Sequence, residues 1–265
     1  METLKVASLM AENADFVVAG IVRYLDDRLG AGAKLVADRP WQERQEMLDA
    51  GRVHAAWICG LPYVQRADQP DSGIELLAAP VMRGERYQER PIYFSDVVVR
   101  RDSEFRSFAD LRGGAWAYNE PGSHSGYNVV RYHLATMGET WDYFDRVAES
   151  GAHQTSLRMI LEGEIDASAI DSTVLELELE KDPAIGSKIR VVETLGPSPI
   201  PPWVILRSLP ERRRETVREL LIGMDEDDEG RAILAEGPVA RFAYVEDSDY
   251  DPIRRMAREA AVVSL

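Results

Sequence analysis

Short runs of β-forming residues alternate with segments of helical spacing along the first third of the chain. The predicted strands cover residues 4–9, 34–36, 53–58 and 76–81, and the predicted helices cover residues 13–29, 41–48 and 61–66. Asn13 is expected to cap the first helix and Gly30 to end it. This alternation predicts an α/β fold with a mainly parallel sheet that carries helices on both faces.

A second series of the same kind begins near Tyr93 and ends near Thr194. The proline-rich segment 196–202 follows it, and consecutive prolines are excluded from the interior of a helix or a central strand. A strand at 203–206 and an amphipathic helix at 209–223 come after this interruption. The two series therefore predict two structural units that are separated by the proline-rich segment.

We predict two mixed α/β lobes joined by a hinge with two crossings. Lobe I would comprise residues 1–92 plus 203–265, and lobe II would comprise the inserted residues 93–202 with the hinge segments. The crossings would lie near 92–97 and 195–202. A ligand is expected in the cleft between the lobes, because open α/β sheets bind ligands at the carboxyl ends of their strands.

The composition limits the partners that the chain can have. A length of 265 residues with 45% apolar residues is sufficient for two hydrophobic cores. The net charge of −15 argues against nucleic acid and against anionic membrane surfaces, which both attract basic faces. A small anion remains possible as a ligand, because distant surface charge is screened beyond about 10 Å. Cys59 is the only cysteine, which excludes a disulfide within the chain.

A hydroxyl-rich turn at residues 120–128 opens directly into a predicted helix. The residues at helical spacing in and after this turn are Tyr127, Val130, Leu134 and Met137, with Gly138 at the position of a C-terminal cap. Ser123 suits the N-cap position, because its hydroxyl can accept a hydrogen bond from a free amide of the first turn. Three polar side chains in a row, Ser123, His124 and Ser125, exceed what capping needs and indicate a pocket for a small anion. Simple capping by Ser123 is the alternative.

Four other segments accompany this turn in a characteristic order. They are residues 90–99, 107–118, 150–156 and 162–171. This order resembles the phosphonate- and phosphite-binding proteins of ABC transporters, a branch of the type 2 periplasmic binding proteins. The resemblance is best over residues 90–175 and reduces to general layout elsewhere. It implies a bilobal type 2 periplasmic-binding-protein-like fold, with two mixed α/β lobes joined by a two-crossing hinge.

The resemblance implies ligand contacts from the first half of lobe II. Tyr93 occupies the position of a ligand-contacting tyrosine, whose phenol can donate to an oxyanion; a buried core tyrosine is the alternative. Ser123, His124 and Ser125 align with the family's Ser-Thr-Ser-Gly element, so histidine replaces the usual threonine. His124 is expected either to donate a hydrogen bond to the ligand or to narrow the pocket.

The resemblance also implies contacts from the second half of lobe II. His153 matches the family's Ser-Gly-Ser-His segment, with Ala152 in place of a serine, and should lie just before a helix at 154–161. Asp171 ends a predicted strand at 165–170, where the family has an aspartate that accepts a hydrogen bond from a protonated ligand oxygen. Such a carboxylate would select a monoprotonated anion over a fully ionised one. The alternatives are a capping role for His153 and for Asp171.

Lobe I offers two aromatic candidates. Trp57 and Tyr63 follow the third predicted strand and would face the cleft, where either ring can cover the organic part of a ligand. A place in the hydrophobic core is the equally weighted alternative for each of the two residues.

Two catalytic or metal arrangements are disfavoured. His124, His153 and Asp171 supply the atoms that zinc or iron prefers, but no two of them have a metal-ligand spacing such as i, i+4. Cys59 and His54 lie five residues apart on a predicted strand and would point to opposite faces. We therefore expect no metal and no cofactor.

The expected function is that of a solute-binding protein, not an enzyme. It would capture phosphate, phosphite or a phosphonate in the interlobe cleft, as a monomer, and deliver the anion to an ABC permease. The alternative is a cytosolic enzyme on the same fold that acts on a small carboxylate or phosphate metabolite, like certain menaquinone- and thiamine-pathway enzymes. The expected location of the protein differs between these two functions. It is periplasmic or extracytoplasmic if a signal has been removed, and cytoplasmic if Met1 is the native start.

Overall fold

The computed structural model describes residues 2–139 and 142–265, so Met1, on which the predicted location depends, lies outside the described residues. The strands, in chain order, are β1 (Leu4–Ser8), β2 (Ala33–Leu35), β3 (Ala55–Trp57), β4 (Ile74–Met82), β5 (Ile92–Arg100), β6 (Ala115–Tyr118), β7 (Arg146–Glu149), β8 (Ala167–Asp171), β9 (Ile189–Pro199), β10 (Trp203–Leu206) and β11 (Val239–Ala243). The α-helices are α1 (Asp15–Arg28), α2 (Trp41–Asp49), α3 (Gly60–Ala67), α4 (Val129–Thr136), α5 (His153–Glu162), α6 (Ser172–Lys181), α7 (Ala184–Lys188), α8 (Glu211–Ile222), α9 (Asp228–Ala235) and α10 (Asp251–Glu259).

The chain forms two compact units, each assembled from two stretches of sequence. Unit 1 consists of Met1–Ile92 and Pro199–Tyr250, and unit 2 consists of Tyr93–Ser198 and Asp251–Leu265. The chain therefore passes between the units three times, near residues 92, 198 and 250.

Unit 1 contains a six-stranded sheet with the order β11-β4-β10-β3-β1-β2. Strand β1 is parallel to β2 and β3, as the alternation of strands and helices predicts. The other pairs are antiparallel, because β10 enters between β3 and β4 after the long insertion and runs against both. Strand β11 then adds antiparallel to β4. The prediction of a mainly parallel sheet is therefore wrong for the part of this sheet that β4, β10 and β11 form. That prediction rests on strands that follow one another directly in the sequence, whereas β10 and β11 join the sheet after a long insertion.

Unit 2 contains a five-stranded sheet with the order β7-β6-β8-β5-β9. Strand β6 is parallel to β7 and β8, and β5 is antiparallel to β8. Alternate residues of β5 enter different cores, as expected for a strand that is covered on both faces. Val97 and Val99 pack with Trp116, whereas Val98 packs with Leu157 on α5.

The last fifteen residues belong to unit 2, whereas we predicted them in lobe I. Helix α10 packs against α4, and Met256 and Val263 join the core around Trp116. Arg131 on α4 also donates from Nε to the Val263 carbonyl at 2.7 Å. Burial of this apolar face explains the placement, which strand and helix order alone does not reveal.

The start of α1 differs from the predicted start. Ala14, not Asn13, is the N-cap of this helix, and it makes no side-chain capping bond. Residues Glu12–Ala14 form a short 3₁₀ turn that precedes the helix. In the described part of the chain, no helix combines the length and apolar composition that crossing a bilayer requires.

Candidate functional site

The hydroxyl-rich turn of unit 2 has the capping geometry that its sequence predicts. Ser123 is extended, with φ −75° and ψ 135°, and its Oγ accepts a hydrogen bond from the Gly126 amide at 3.1 Å. Residues His124–Asn128 form a π-helical turn, after which α4 continues to Thr136. Gly138 follows the end of the helix with a φ of +78°, a left-handed conformation that glycine adopts readily. The turn thus presents buried hydroxyls and helix-start amides together.

Two serines of the turn meet a histidine from another helix. Ser123 Oγ lies 3.5 Å from Ser125 Oγ, and Ser125 Oγ lies 3.0 Å from His153 Nε2. All three side chains are buried. His153 is the first residue of α5, one position earlier than the predicted helix start. Burial lowers the pKa of His153 to about 4, so the imidazole is neutral at physiological pH.

His124 makes its hydrogen bonds within the protein. Its ring is fully buried, with Nδ1 3.1 Å from Asn128 Nδ2 and Nε2 2.9 Å from Ser198 Oγ. Burial lowers the pKa of His124 to about 3, which leaves the imidazole neutral. The histidine that replaces the family's threonine therefore brings no positive charge to the turn.

Tyr93 and the strand that ends at Asp171 lie beside the same turn. The Tyr93 ring is buried, with its centroid 6.4 Å from that of His124. Asp171 pairs across the sheet with Ser95, which shares a face of β5 with Tyr93. Unit 2 thus carries all six of the predicted residues, and β8, which ends at Asp171, contacts the π-helical turn; the six are Tyr93, Ser123, His124, Ser125, His153 and Asp171.

Asp171 has a capping role that does not depend on a ligand. Its Oδ1 accepts from the Thr173 amide at 2.8 Å and from the Thr173 hydroxyl at 2.7 Å, at the start of α6. Burial raises the pKa of Asp171 to about 6, opposed by the hydrogen bonds from Thr173 and Val174, while the nearby Asp96 raises it further. The carboxyl group therefore titrates in the range where a small oxyanion also exchanges protons.

The sequence analysis assigns no role to two residues at the start of the turn, Asn119 and Glu120. Asn119 packs directly on Gly126, so that a methyl group at position 126 would overlap Asn119 Oδ1 and lie 3.1 Å from His153 Cε1. Glu120 is the first residue of the turn, and burial together with the negative charge of Glu149 raises its pKa to about 7. Nothing in the local sequence marks either residue, since neighbours from distant segments create both environments.

The lobe I candidates both lie in the core of unit 1. Trp57 ends β3, donates from Nε1 to the Pro201 carbonyl at 2.9 Å and stacks on Trp203 at a centroid distance of 6.4 Å. Tyr63 donates from its hydroxyl to Asp247 at 2.6 Å and packs edge-on against Tyr250. Their polar atoms thus have partners in unit 1, and a ligand role for either residue stays a prediction.

Unit 1 also contains a cavity of about 400 Å³. Tyr63, Glu75, Arg207 and Tyr244 are among the residues that line it. It adjoins the beginning of β4, which pairs with the end of β10. Since β10 runs against β3, this edge of the sheet is opposite the carboxyl end of β3, where α/β sheets place their ligands.

Within residues 2–139 and 142–265, no three or more His, Cys, Asp and Glu side chains are grouped so as to hold a metal ion. The polar groups at the turn are hydroxyls, amides, neutral imidazoles and a carboxyl. Such a set can surround a small oxyanion with hydrogen bonds, and one acceptor remains for a proton that the anion carries.

The chain belongs to the family of periplasmic substrate-binding proteins of phosphonate ABC transporters. The family profile, described as "ABC transporter, phosphonate, periplasmic substrate-binding protein", matches residues 12–250. This is a family of binding proteins, not of enzymes, so the chain is a solute-binding protein of this transporter class.

Solved structures share the fold at low sequence identity. A binding protein component of an ABC phosphonate transporter from Pseudomonas aeruginosa is similar at a TM-score of 0.83 and 17% identity, over 96% of this chain and 85% of that one. PhnD1 from Prochlorococcus marinus, in complex with methylphosphonate, is similar at a TM-score of 0.82 and 20% identity, over 99% of both chains. The aliphatic sulphonate binding protein SsuA from Escherichia coli is similar at 0.66 and 15% identity, over 97% of this chain and 91% of that one. The fold is therefore that of the type 2 periplasmic binding proteins, as predicted.

Proposed function

We propose that this chain captures a small phosphorus oxyanion, namely phosphate, phosphite or a phosphonate, at the Ser123–Ser125 turn of unit 2. The observation that carries the proposal is the buried cluster of Ser123, Ser125 and His153 at the starts of two helices. Helix starts favour anions through their free amides and the positive end of the helix dipole. Membership in the phosphonate-binding family supports the same ligand class.

The donor set favours a ligand that carries its own proton. The two histidines at the turn are neutral, so hydrogen bonds replace ionic attraction. Asp171 would accept a hydrogen bond from a P–OH group, whereas a fully ionised sulfate would face an uncompensated carboxylate. Monoprotonated phosphate, phosphite and phosphonates meet this requirement. Methylphosphonate, which PhnD1 of Prochlorococcus marinus binds, is therefore the first candidate for this chain.

The family context supports a place in uptake. We propose an extracytoplasmic location and delivery of the anion to an ABC permease, because the family consists of periplasmic components of such transporters. We also propose that the chain acts as a monomer. Light scattering on the purified protein tests the monomer, and a mass of two or more chains would refute it.

The ligand class can be tested by thermal melts and calorimetric titration of extensively dialysed protein. The panel consists of phosphate, phosphite, methylphosphonate, aminoethylphosphonate, sulfate and several aromatic carboxylates. A ligand at about a hundred times its Kd should stabilise the protein by about 2.7 kcal/mol, which shifts the Tm by several degrees. We expect this shift for at least one phosphorus oxyanion and not for sulfate. A shift with a carboxylate alone would refute the proposal and favour the enzyme alternative.

A further inference from the structure

Both ring nitrogens of His124 contact protein side chains. Its ring is fully buried, and each ring nitrogen lies within hydrogen-bonding distance of a protein side chain. Asn128 lies four residues later on the same turn, whereas Ser198 comes from the end of β9, 74 residues away. His124 therefore ties the anion-binding turn to a distant strand of unit 2.

The partner of Nδ1 indicates which ring nitrogen carries the proton. The Nδ2 atom of Asn128 only donates, so Nδ1 of His124 accepts at 3.1 Å. A neutral imidazole has one N–H, which must then lie on Nε2 and donate to Ser198 Oγ at 2.9 Å. Burial supports the neutral form, because it lowers the pKa of His124 to about 3.

This arrangement leaves the Ser198 proton without an acceptor on His124. Ser198 is only 2% exposed, and in the described part of the chain its hydroxyl has a hydrogen bond with His124 alone. Since the Ser198 oxygen accepts that bond, its own O–H is directed elsewhere. A buried hydroxyl without an acceptor is costly, so an acceptor is expected at this position.

The backbone beside Ser198 packs against the backbone of Tyr93, one of the predicted ligand contacts. Gly196, two residues before Ser198, packs against the Tyr93 carbonyl: a methyl group there would lie 3.2 Å from the Ser198 amide and 3.3 Å from the Tyr93 oxygen. The Tyr93 ring in turn neighbours His124. Ser198, Tyr93 and His124 therefore occupy one region of unit 2, beside Ser123 and Ser125.

We propose that His124 is a positioning residue that fixes the Ser198 hydroxyl as a hydrogen-bond donor to the oxyanion held at the Ser123–Ser125 turn. The inference rests on the proposed function and adds Ser198 to the ligand-binding residues. It also gives a reason for histidine in place of the family's threonine. The two opposed ring nitrogens reach Asn128 and Ser198 at the same time, which a single threonine hydroxyl on a shorter side chain does not do.

A double-mutant cycle on the affinity for methylphosphonate and phosphite tests this coupling. His124→Phe and Ser198→Ala should each weaken binding about 10-fold, as expected for one lost hydrogen bond to an ion. The double variant should bind no more weakly than the worse single variant, because both changes remove the same donor. Ser156→Ala should bind like wild type, because it removes another buried hydroxyl of unit 2, whose hydrogen-bond partner among the described residues is Ser150.

Two results would contradict the inference, and a third would contradict the proposed function. Wild-type affinity for Ser198→Ala overturns the inference, and so do losses that add fully in the double variant. The Ser198→Ala result stands even if His124→Phe does not fold. If wild type binds no phosphorus oxyanion, the proposed function itself fails.

The ¹⁵N chemical shifts of the His124 ring in the ligand-free protein test the tautomer independently of any ligand. A protonated Nε2 with an unprotonated Nδ1 is expected from pH 6 to pH 8. A proton on Nδ1 would overturn the assignment of Ser198 as an oriented donor, whatever the protein binds.

Discussion

The hydroxyl oxygen of Ser125 lies 3.0 Å from Nε2 of His153, and the two side chains come from the starts of two different helices. The contact joins two positive helix ends at one point of unit 2. Because His153 is neutral, the attraction for an anion comes from oriented dipoles and hydrogen bonds and not from a full charge. Affinity should therefore depend on the hydroxyls more than on ionic strength.

The paired substitution Ser123→Ala with Ser125→Ala should abolish most ligand affinity. Two hydrogen bonds to an ionic ligand are each worth about 1.5 kcal/mol or more, so the Kd should rise by roughly 100-fold. Loss of the Ser123 cap should also lower the free energy of unfolding by about 1 kcal/mol. Titration calorimetry and denaturant unfolding measure the two effects separately.

An exposed serine provides the control for this pair. Ser187 donates only to the Ala184 carbonyl among the described residues, far along the chain from the turn. Ser187→Ala should leave affinity unchanged. If the Ser123 and Ser125 double variant also binds as tightly as wild type, the anion site does not lie at this turn.

Gly126 should be intolerant of a side chain. A Cβ at this position would overlap Asn119 Oδ1 and crowd the His153 ring, so Gly126→Ala must displace one of these groups. We expect a loss of at least about 1 kcal/mol in stability and a clear loss of affinity. Gly122→Ala is the matched control, since no other group lies within 4 Å of its Cβ position.

The effect of the overlap with Asn119 can be separated from other effects of alanine at position 126. Adding Asn119→Ala to Gly126→Ala removes the overlapping oxygen and should restore part of the lost stability. Equal melting temperatures for the Gly126 and Gly122 single variants would show that Asn119 does not pack on the turn in this way.

Asp171 should make ligand affinity depend on pH. Its pKa is raised to about 6, so above this pH the charged carboxylate accepts a strong, charge-assisted hydrogen bond from a ligand P–OH, and below it the neutral carboxyl group accepts only a weaker one. Asp171→Asn should weaken binding about 10-fold at pH 8, and the gap to wild type should narrow toward pH 5. Asparagine still caps a helix, so α6 should remain intact.

The ratio of the wild-type affinity to the Asp171→Asn affinity at each pH does not depend on the protonation of the free ligand, because both proteins meet the same ligand. Calorimetric titrations of methylphosphonate at pH 5, 6, 7 and 8 provide the data. A constant ratio of affinities across this range would mean that Asp171 only caps α6.

The parts of the site that sequence reasoning predicts are local. Ser123 follows Pro121 and Gly122 and precedes residues of helical spacing, so consecutive residues are sufficient to predict its N-cap position. Asn119 and Ser198 gain their roles from contacts across the fold. Ser198 lies 74 residues from its partner His124, and a pattern search within a window of helical or strand length does not connect them.

The same distinction applies to the fold. The parallel pairing of β1 with β2 and β3 follows from the alternation of strands and helices. The antiparallel position of β10 depends on how the chain returns from unit 2, and the placement of α10 depends on which core buries its apolar face. Both are decided by tertiary packing and not by local propensity.

The final prediction concerns stability in acid. The pKa of His153 is lowered to about 4 in the folded protein, whereas an unfolded histidine titrates near 6.5. Between these values the unfolded state binds more protons, so this residue removes about 1.4 kcal/mol of stability for each pH unit of acidification. His153→Gln removes that loss, and its unfolding free energy should fall less steeply than that of wild type from pH 6.5 to pH 4.5. Asp171 and Glu120, with raised pKa values, act in the opposite direction in both proteins, so the difference between the two slopes isolates His153. Parallel curves in denaturant titrations over this range would show that His153 is not held neutral by burial.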